Sequence, residues 1–519
     1  MRKIIFTTIA VLIICGNSFG QITFQKAYGY GITDYVNFIQ QTTDGGYIMA
    51  GYTESFDNGD IYLIKTNAFG DTLWTKAYGS FETEYVGCVR QTNDGGYIIA
   101  GGSEQSSEFQ DDVYIVKTDS VGDTIWAKIY LGGDASSIQQ TTDGGYIIFG
   151  GTSCDMCNPH FLLIKTFASG DTIWTRTFQS SDDDMASSVQ QTSDGGYILV
   201  GTSRYYFPDA EHVQLIKTNA NGDTLWTKSY GGSNFDYGSS VQQTTDGGYI
   251  IAGGTSSFGV GNGDVYLIKT NSTGDVLWSL AYGGPRGDGA SSVQQTTDGG
   301  FIIAGSTSSF ADTVGDVYLI KTNSVGDTLW TRTYGGSNAD EASSVQQTTD
   351  GGYIIAGFTR SFGAGGSDLY LIKTDSIGNT ECDAGSTSTF ISIAVTQTFP
   401  STVGISSGLT VEPTQTLIHR GTVVTTICSD EGIPSISQSQ SSTLLFPNPI
   451  SQSSTLQINS SLQGNVTVNI YNILGQNIMT KESNSHTIYL SSNDFSEGIY
   501  FYRAMIGDTI IGDGKFVVE

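Results

Sequence analysis

A repeat of about fifty residues constrains this chain more than any other feature of its sequence. Its most regular element is Asp-Gly-Gly, which recurs at intervals of 49 to 52 residues. The Asp residues of the seven copies are Asp44, Asp94, Asp143, Asp194, Asp246, Asp298 and Asp350. A period of this length is typical of propellers and solenoid arrays, in which each repeat is one supersecondary unit.

Each repeat contains four strand-length segments separated by turn residues. In the copy that begins at Asp288, these segments are Ser291–Thr296, Phe301–Gly305, Val317–Thr322 and Thr328–Thr331. The two middle segments are nearly continuous apolar runs, as expected for strands whose sheet is covered on both faces. Four strands repeated around an axis make the blades of a β-propeller. We therefore predict an all-β chain with a seven-bladed propeller over residues 21–379.

The N-terminal segment predicts how the ring closes. A Trp stands in the fourth segment of six repeats, at Trp74, Trp126, Trp174, Trp226, Trp278 and Trp330. The seventh repeat has no such segment after Thr374, whereas residues 22–29 resemble residues 72–79 with Phe24 in the position of Trp74. We predict that this N-terminal strand completes the last blade.

Two propeller families share parts of this pattern. The spacing from Gly326 to Trp330 resembles the fourth-strand motif of quinoprotein-like propellers. Residues 251–254, followed by Tyr266 and Trp278, are loosely similar to kelch repeats. Both resemblances imply the propeller architecture, and neither implies an activity.

The net charge limits the possible binding partners, and the N-terminal residues indicate where the protein is located. The formal net charge of −28 argues against nucleic-acid binding, because phosphate contacts need Lys and Arg. A secretory signal peptide over residues 1–20 is indicated by Arg2 and Lys3, by an apolar run over residues 4–15 and by a small-residue cleavage site with Ser18 and Gly20 around Phe19. The apolar run is too short for a membrane span, so we predict no transmembrane segment in the mature chain.

One face of the predicted propeller is the candidate binding face. Up-and-down strands place the loops between second and third strands, together with the links between repeats, on the same face, and these segments vary in length. An acidic residue lies near the start of most first strands, at Asp34, Glu84, Asp184, Asp236, Asp288 and Asp340. Aromatic residues of the loops include Phe56, Phe258, Phe310 and Phe362.

Two interpretations of these residues stay open. The carboxylates could form a ring that holds a cation or sugar hydroxyls, with the Phe rings as a stacking platform. Alternatively, each acidic side chain caps a turn of its own repeat by accepting hydrogen bonds from backbone N–H groups. The regular repetition favours capping. Calcium is the one cofactor left open, and neither a metal site nor another cofactor is predicted.

The cysteines allow disulfides if the chain is exported. The candidate pairs are Cys154 with Cys157 and Cys382 with Cys428. Cys88 is left over, and its place in a strand predicts a buried free thiol.

The repeat stops after Thr380, and the rest of the chain divides into three parts. Residues 380–429 are predicted to form a small β-rich module, and the Ser- and Gln-rich residues 430–443 a flexible linker. In residues 444–519, Val466, Val468 and Ile470 alternate with polar residues, which predicts a β-sandwich.

The last part also resembles a known family. The segments that carry the resemblance are Phe446–Pro449, Ile470–Gln476, Glu497–Phe501 and Lys515–Glu519. In order and position they are similar to the C-terminal sorting domain of the Bacteroidota type IX secretion system. The resemblance implies a partner, the type IX machinery, and a secreted or outer-membrane surface location.

The sequence therefore predicts a secreted or cell-surface propeller for binding or adhesion, with a glycan or a surface protein as partner. One alternative is an extracellular enzyme that acts on polysaccharide through carboxylates of the acidic face. Another is a purely structural surface component. Only four His residues occur in the chain, so there are few candidates for a general base. This weighs against the enzyme, and no catalytic residue is predicted.

Overall fold

The computed structural model divides the chain into two compact units, residues 1–431 and 432–519. The residues it describes are 21–29, 33–54, 59–79, 83–104, 111–153, 158–179, 183–206, 209–310, 314–363, 366–380, 385–386, 390–393, 397–399, 404–406, 411–413, 423–429, 442–446, 450, 453–459, 464–472, 477–484, 487–496, 498–506 and 509–518. Their secondary structure is β apart from one short 3-10 turn, so the predicted all-β class is confirmed.

The first unit is built from four-stranded antiparallel sheets, named sheets 1 to 7 after the repeat that supplies their first strand. The N-terminal strand β1 spans Phe24–Gly29. Sheets 1 to 3 contain β2 (Asp34–Gln41), β3 (Tyr47–Thr53), β4 (Asp60–Thr66) and β5 (Thr72–Tyr78); β6 (Thr83–Gln91), β7 (Tyr97–Glu104), β8 (Asp111–Thr118) and β9 (Thr124–Tyr130); and β10 (Ser137–Gln140), β11 (Tyr146–Gly151), β12 (Phe161–Thr166) and β13 (Thr172–Gln179).

The remaining sheets repeat this plan. Sheets 4 and 5 contain β14 (Asp184–Gln191), β15 (Tyr197–Tyr206), β16 (Asp209–Thr218) and β17 (Thr224–Gly231); and β18 (Asp236–Gln243), β19 (Tyr249–Thr255), β20 (Asp264–Thr270) and β21 (Val276–Gly283). Sheets 6 and 7 contain β22 (Asp288–Gln295), β23 (Phe301–Thr307), β24 (Asp316–Thr322) and β25 (Thr328–Tyr334); and β26 (Asp340–Gln347), β27 (Tyr353–Thr359), β28 (Asp368–Thr374) and β1.

The apolar core lies between successive sheets. β19 and β20 are buried at every position, and one cluster joins Ile250 and Leu267 of sheet 5 to Ile303 of sheet 6. Trp278 in the fourth strand of sheet 5 meets Phe301 of sheet 6 edge-on, with ring centroids 6.0 Å apart. Because each sheet is covered on both faces by its neighbours, its middle strands are apolar throughout rather than alternating.

The Asp-Gly-Gly turn is held by a buried lysine. Asp298 accepts hydrogen bonds from Thr296 Oγ1 at 2.5 Å and from the backbone N–H of Gly300 at 2.9 Å. Lys321 Nζ lies 2.9 Å from the Asp298 carboxylate and also donates to the Thr322 carbonyl at 2.8 Å. The same Lys–Asp pair occurs in all seven sheets at 2.9 to 3.0 Å. The repeated lysine therefore belongs to the framework of the turn.

We expect Gly300→Ala to destabilise the protein much more than Gly299→Ala. Gly299 has a φ of +83° and open space where a Cβ would point, so alanine there costs only the backbone strain of about 1–2 kcal/mol. A Cβ on Gly300 would lie 2.1 Å from the Thr322 carbonyl oxygen, so the hairpin would have to open. Urea titrations of both variants measure the loss of unfolding free energy, and equal losses would contradict this steric account.

Strand β1 lies far from sheet 7 in sequence but pairs with it. It runs antiparallel to β28, with Phe24 opposite Lys373 and Tyr28 opposite Leu369. Sheets 1 and 7 are also joined directly, because Gln41 N–H donates to Gln346 Oε1 at 2.7 Å and Thr349 N–H donates to Gln41 Oε1 at 3.0 Å. The two ends of the repeat array therefore meet.

Residues 380–429 were predicted as a small β-rich module, and their described residues form six short strands. They are β29 (Gly385–Ser386), β30 (Phe390–Ile393), β31 (Gln397–Phe399), β32 (Gly404–Ser406), β33 (Val411–Pro413) and β34 (Val423–Ser429). Each pairs antiparallel with the fourth strand of a different sheet, in the order sheet 6, 5, 4, 3, 2 and 7. Among the described residues, sheet 1 alone keeps four strands.

The second unit consists of two antiparallel sheets around one apolar core. The first contains β35 (Ser442–Phe446), β36 (Ser453–Asn459) and β39 (Thr487–Ser491), and the second β37 (Val466–Tyr471), β38 (Asn477–Ser483), β40 (Gly498–Ile506) and β41 (Thr509–Val518). Val466, Val468 and Ile470 face the core, as their alternation predicted. The 3-10 turn spans Ser492–Asp494, and the described part of the chain has no helix long and apolar enough to cross a membrane.

Candidate binding sites at the loop edge and in the central cavity

The acidic residues predicted for the binding face are buried. They lie at the edge of the sheets where first strands begin and second strands end, here called the loop edge. Their exposed fractions are 1% for Asp34, Glu84 and Asp184, 0% for Asp236 and Asp340, and 7% for Asp288. Carboxylates this buried need protein hydrogen-bond donors or neighbouring charge to remain stable.

Asp288 shows how these carboxylates are satisfied. Its Oδ2 accepts from Gly284 N–H at 2.8 Å and from Ser309 Oγ at 2.7 Å, and its Oδ1 accepts from Thr307 Oγ1. Asp340 makes the matching bonds to Gly336 N–H at 2.8 Å and to Ser361 Oγ at 2.7 Å. These contacts are those of a loop cap. Recognition of an external ligand by the six acidic residues stays a prediction.

At several boundaries between sheets, a second acidic residue faces the cap. Asp264, at the start of the third strand of sheet 5, lies beside Asp288 of sheet 6. A Cβ on Gly283 would fall 2.0 Å from Asp264 Oδ1 and 2.6 Å from Asp288 Oδ2, so glycine is required between the two carboxyls. Burial, and then the charge of Asp288, raise the pKa of Asp264 to about 6. Asp316 and Asp340 flank Gly335 in the same way.

Histidine replaces the third-strand acid at two boundaries. His160 Nδ1 lies 3.7 Å from Asp184 Oδ2 at the boundary between sheets 3 and 4. His212 lies beside Asp236 between sheets 4 and 5, and its Nε2 is 3.1 Å from the Gly232 carbonyl oxygen. The loop edge is therefore not uniform around the array.

We expect Asp264 to make the protein less stable as pH rises from about 4 to about 6. An unfolded Asp ionises near pH 3.9, whereas the folded Asp264 has a pKa of about 6. Ionisation between these values therefore favours the unfolded state. Thermal melts across this range should show the decline, and Asp264→Asn should reduce it. An unchanged slope in this variant would contradict the assignment.

Asp246 in the turn of sheet 5 provides a control of opposite sign. Burial opposes its ionisation, but hydrogen bonds from Thr244, Lys269 and the Gly248 N–H outweigh burial and hold its pKa at about 2. Its contribution to stability is therefore present above the unfolded pKa and is lost as pH falls toward 2. Asp246→Asn should reduce the loss of stability that occurs as the pH falls below 4. It should leave the change in stability between pH 4 and pH 6 as it is in the unsubstituted protein.

The predicted aromatic residues support the loops. Phe258, Phe310 and Phe362 are half-buried and pack on Tyr266, Tyr318 and Tyr370, with ring centroids 5.6 to 5.8 Å apart. Phe56 lies outside the described residues. Sequence reasoning missed two aromatic side chains that are more exposed at the loop edge, Phe235 at 43% and Tyr237 at 39%.

One pocket at the loop edge breaks the repeat pattern. It has a volume of about 400 Å³ between sheets 3 and 4, and its lining includes Asp111, Asp134 and Asp184. Burial raises the pKa of Asp134, with a further contribution from the charge of Asp111, although the hydrogen bond from Gly151 N–H opposes both. The signal in the sequence was the displacement of Asp134 by one place from the other acids.

Sequence reasoning also placed no binding site in a polar cavity of about 410 Å³ that the first strands of all seven sheets line. The repeated Ser-Ser-x-Gln-Gln segment supplies most of the lining, and the first two repeats depart from it at Asn37, Phe38, Gly87, Cys88 and Arg90. That departure was visible in the sequence. We call this space the central cavity.

The cysteines are only partly placed. Cys88 is a buried free thiol, as predicted. Cys154, Cys157 and Cys382 lie outside the described residues, and for Cys428 only the backbone in β34 is described. Among the described residues, no group of three or more His, Cys, Asp or Glu is arranged to hold a metal ion.

Comparison with protein families decides the role of the second unit. Residues 444–519 match the family described as the secretion system C-terminal sorting domain. The predicted sorting domain is confirmed. With this type IX domain, the chain is a secreted or outer-membrane surface protein, and the domain implies interaction with the secretion machinery.

Two solved structures from B. thetaiotaomicron overlap with the chain at low TM-scores. One is the extracellular domain of a hybrid two-component system, with 7% identity over 93% of this chain and 80% of that one and a TM-score of 0.21. The other is the extracellular domain of a one-component system. It has 9% identity over 96% of this chain and 100% of that one, and a TM-score of 0.17. No curated protein matches the chain. The architecture therefore rests on the chain's own strand pairing.

Proposed function

We propose that sheets 1 to 7 are the blades of a closed seven-bladed propeller. The pairing of β1 with β28 supports closure by the N-terminal strand. The hydrogen bonds between sheets 1 and 7 and the shared central cavity support a ring rather than an open array, since a solenoid leaves its terminal repeats apart.

This propeller acts, in our proposal, as a binding or adhesion module outside the cell, with a glycan or a surface protein as its partner. The observation that carries the proposal is the difference between its two edges. The opposite edge, which holds the Asp-Gly-Gly turns, repeats the same Lys–Asp contacts in every sheet. The loop edge instead carries segments of varying length, together with the exposed side chains of Phe235 and Tyr237. Variable loops on a rigid scaffold are where binding residues concentrate.

Screening the mature chain, residues 21–519, on a glycan array and against surface proteins, with and without calcium, tests this proposal. We expect selective binding that Phe235→Ser together with Tyr237→Ser reduces. Phe69→Ser is the matched control, because Phe69 is similarly exposed at 46% but lies in a turn between third and fourth strands. A loss that is equal in the control, or no selective ligand, would contradict a loop-edge binding site.

The acidic pocket between sheets 3 and 4 favours a second candidate function, an enzyme acting on extracellular polysaccharide. Asp134 has the raised pKa that suits a general acid, and Asp184 lines the same pocket. Glycoside hydrolysis uses a pair of carboxyl groups, one of which acts as the general acid. Release of reducing sugar by the mature chain, lost in Asp134→Asn, would support this candidate, and no release from a broad polysaccharide panel would exclude it.

A further inference from the structure

The central cavity differs in charge from the rest of the molecule. The chain carries a net charge of −28, yet the described residues that line the cavity include no carboxylate and one cation, Arg90. The other polar lining groups are mainly Ser hydroxyls and Gln amides. A ligand that enters this space therefore meets a neutral to positive surface inside an acidic protein.

Six glutamines form a ring in this cavity, and their acceptor atoms are already used. They are Gln40, Gln139, Gln190, Gln242, Gln294 and Gln346. The Oε1 of each accepts a hydrogen bond from a backbone N–H of the adjacent sheet at 2.6 to 2.8 Å.

These bonds fix which end of each amide is available. An amide side chain has one acceptor oxygen and two N–H donors. With the oxygen bound to the neighbouring sheet, Nε2 is left, and none of the six donates a hydrogen bond to another described residue of the protein. The ring thus presents donors without matching acceptors, which is the arrangement that suits an anion or an acceptor-rich ligand.

Arg90 occupies the seventh position of the ring. A guanidinium cannot accept a hydrogen bond, and within the described part of the chain no residue of sheet 2 replaces the missing bond to Gln140 N–H. The guanidinium lies over the Phe38 ring, 4.2 Å from its centroid. Its Nε is buried without a hydrogen-bond partner, and no ion pair to Arg90 occurs among the described residues. Within the described part of the chain, Arg90 is therefore a cation in the cavity without a counter-ion.

We propose that the central cavity binds a carboxylate-bearing saccharide, with the carboxylate on Arg90 and the ring amides donating to its oxygens. Arg pairs with carboxylates through two parallel N–H donors, and the Ser hydroxyls of the same cavity can bond sugar hydroxyls in either direction. The volume lies within the range of roughly 300–1,000 Å³ found for small-ligand sites. The saccharide rests on the proposed extracellular function, whereas the oxyanion site rests on the cavity alone.

Calorimetric titration of the mature chain tests the site, with glucuronate, its neutral methyl ester, glucose and sulfate as probes. We expect saturable binding of glucuronate, weaker binding of the ester, and weaker binding still of glucose. Arg90→Gln should reduce glucuronate affinity by about tenfold to a hundredfold, the usual effect of losing a hydrogen-bonded charge. No saturable glucuronate binding by the unsubstituted protein would overturn the proposal.

The repeat itself supplies the controls. Arg90→Gln installs the residue that the other six sheets carry, so the melting temperature should be unchanged or higher because Gln140 N–H gains its acceptor. Gln242→Glu keeps an acceptor for Gln295 N–H but adds a negative charge to the ring, and should also weaken glucuronate binding. Arg176→Gln makes the same charge change on the fourth strand of sheet 3, beside Trp174, and should leave affinity unchanged.

The outcomes separate this site from the loop edge and from simple anion binding. Equal glucuronate affinity in Arg90→Gln and the unsubstituted protein would refute the role of Arg90. Sulfate binding as tight as glucuronate binding, with the same loss in Arg90→Gln, would refute the saccharide and leave an inorganic oxyanion site. The Phe235 and Tyr237 substitutions should not change glucuronate affinity, so failure of either proposal can be recognised independently.

Discussion

Deleting residues 21–29 should lower the melting temperature of the protein by about 10 °C or more. This segment contains β1, whose six residues are all buried. Its loss removes two large side chains, Phe24 and Tyr28, from a core shared by sheets 1 and 7. Burial of such a side chain contributes about 1.5–3 kcal/mol, and the hydrogen-bond ladder to β28 is lost in addition.

The effect should exceed that of losing an ordinary terminal strand, because β1 links two parts of the array. Tyr28 OH donates to the Gly70 carbonyl of sheet 1, and Gln25 Oε1 accepts from Tyr370 OH of sheet 7. Without β1, β28 becomes an exposed edge, and such edges promote pairing between molecules. We therefore also expect the deletion variant to aggregate on heating.

Phe24→Trp is the matched control for this deletion. Phe24 meets Tyr47 edge-on with centroids 6.3 Å apart, as Trp74 meets Tyr97 at 5.8 Å one sheet later. Since the substitution restores the residue found in the other fourth strands, its melting temperature should stay close to that of the unsubstituted protein. A melting curve unchanged by the deletion would refute closure by β1.

The repeated framework could be predicted from the sequence because its determinants are local. The Asp298 turn uses Thr296, Gly299 and Gly300, which are neighbours in sequence. The pairing of β1 followed from the similarity of residues 22–29 to residues 72–79. In both cases a short segment carries enough information to specify its own place in a sheet.

The candidate sites depend on contacts that the sequence does not place. Asp288 is capped by Thr307 and Ser309, and this contact exists only because strand register sets Asp288 opposite Thr307. The orientation of the Gln242 amide is set by the backbone of Gln295 in the next sheet. Residues 385–429 have no period, so nothing in them indicated pairing with six different sheets.

Removing residues 444–519 should abolish delivery of the protein to the cell surface and leave it in the periplasm. This segment is the sorting domain and implies interaction with the secretion machinery, so we expect export across the outer membrane to depend on it. Cell fractionation and protease shaving of intact cells would measure the change. Accumulation of the truncated protein at the surface would contradict this role.

The recognised form of this domain should be the folded one, and two phenylalanines can test that. Phe516 is fully buried in β41, and its ring lies 5.5 Å from Tyr500 and 5.3 Å from Phe495. Phe516→Ala should cost about 3–5 kcal/mol, which is comparable to the whole stability of a small domain, and surface delivery should fall severalfold. Phe501, exposed at 44% on the adjacent strand β40, gives the control substitution Phe501→Ala, which should leave delivery intact. If Phe516→Ala unfolded the domain in melting experiments but reached the surface normally, the machinery would have to recognise an unfolded segment instead.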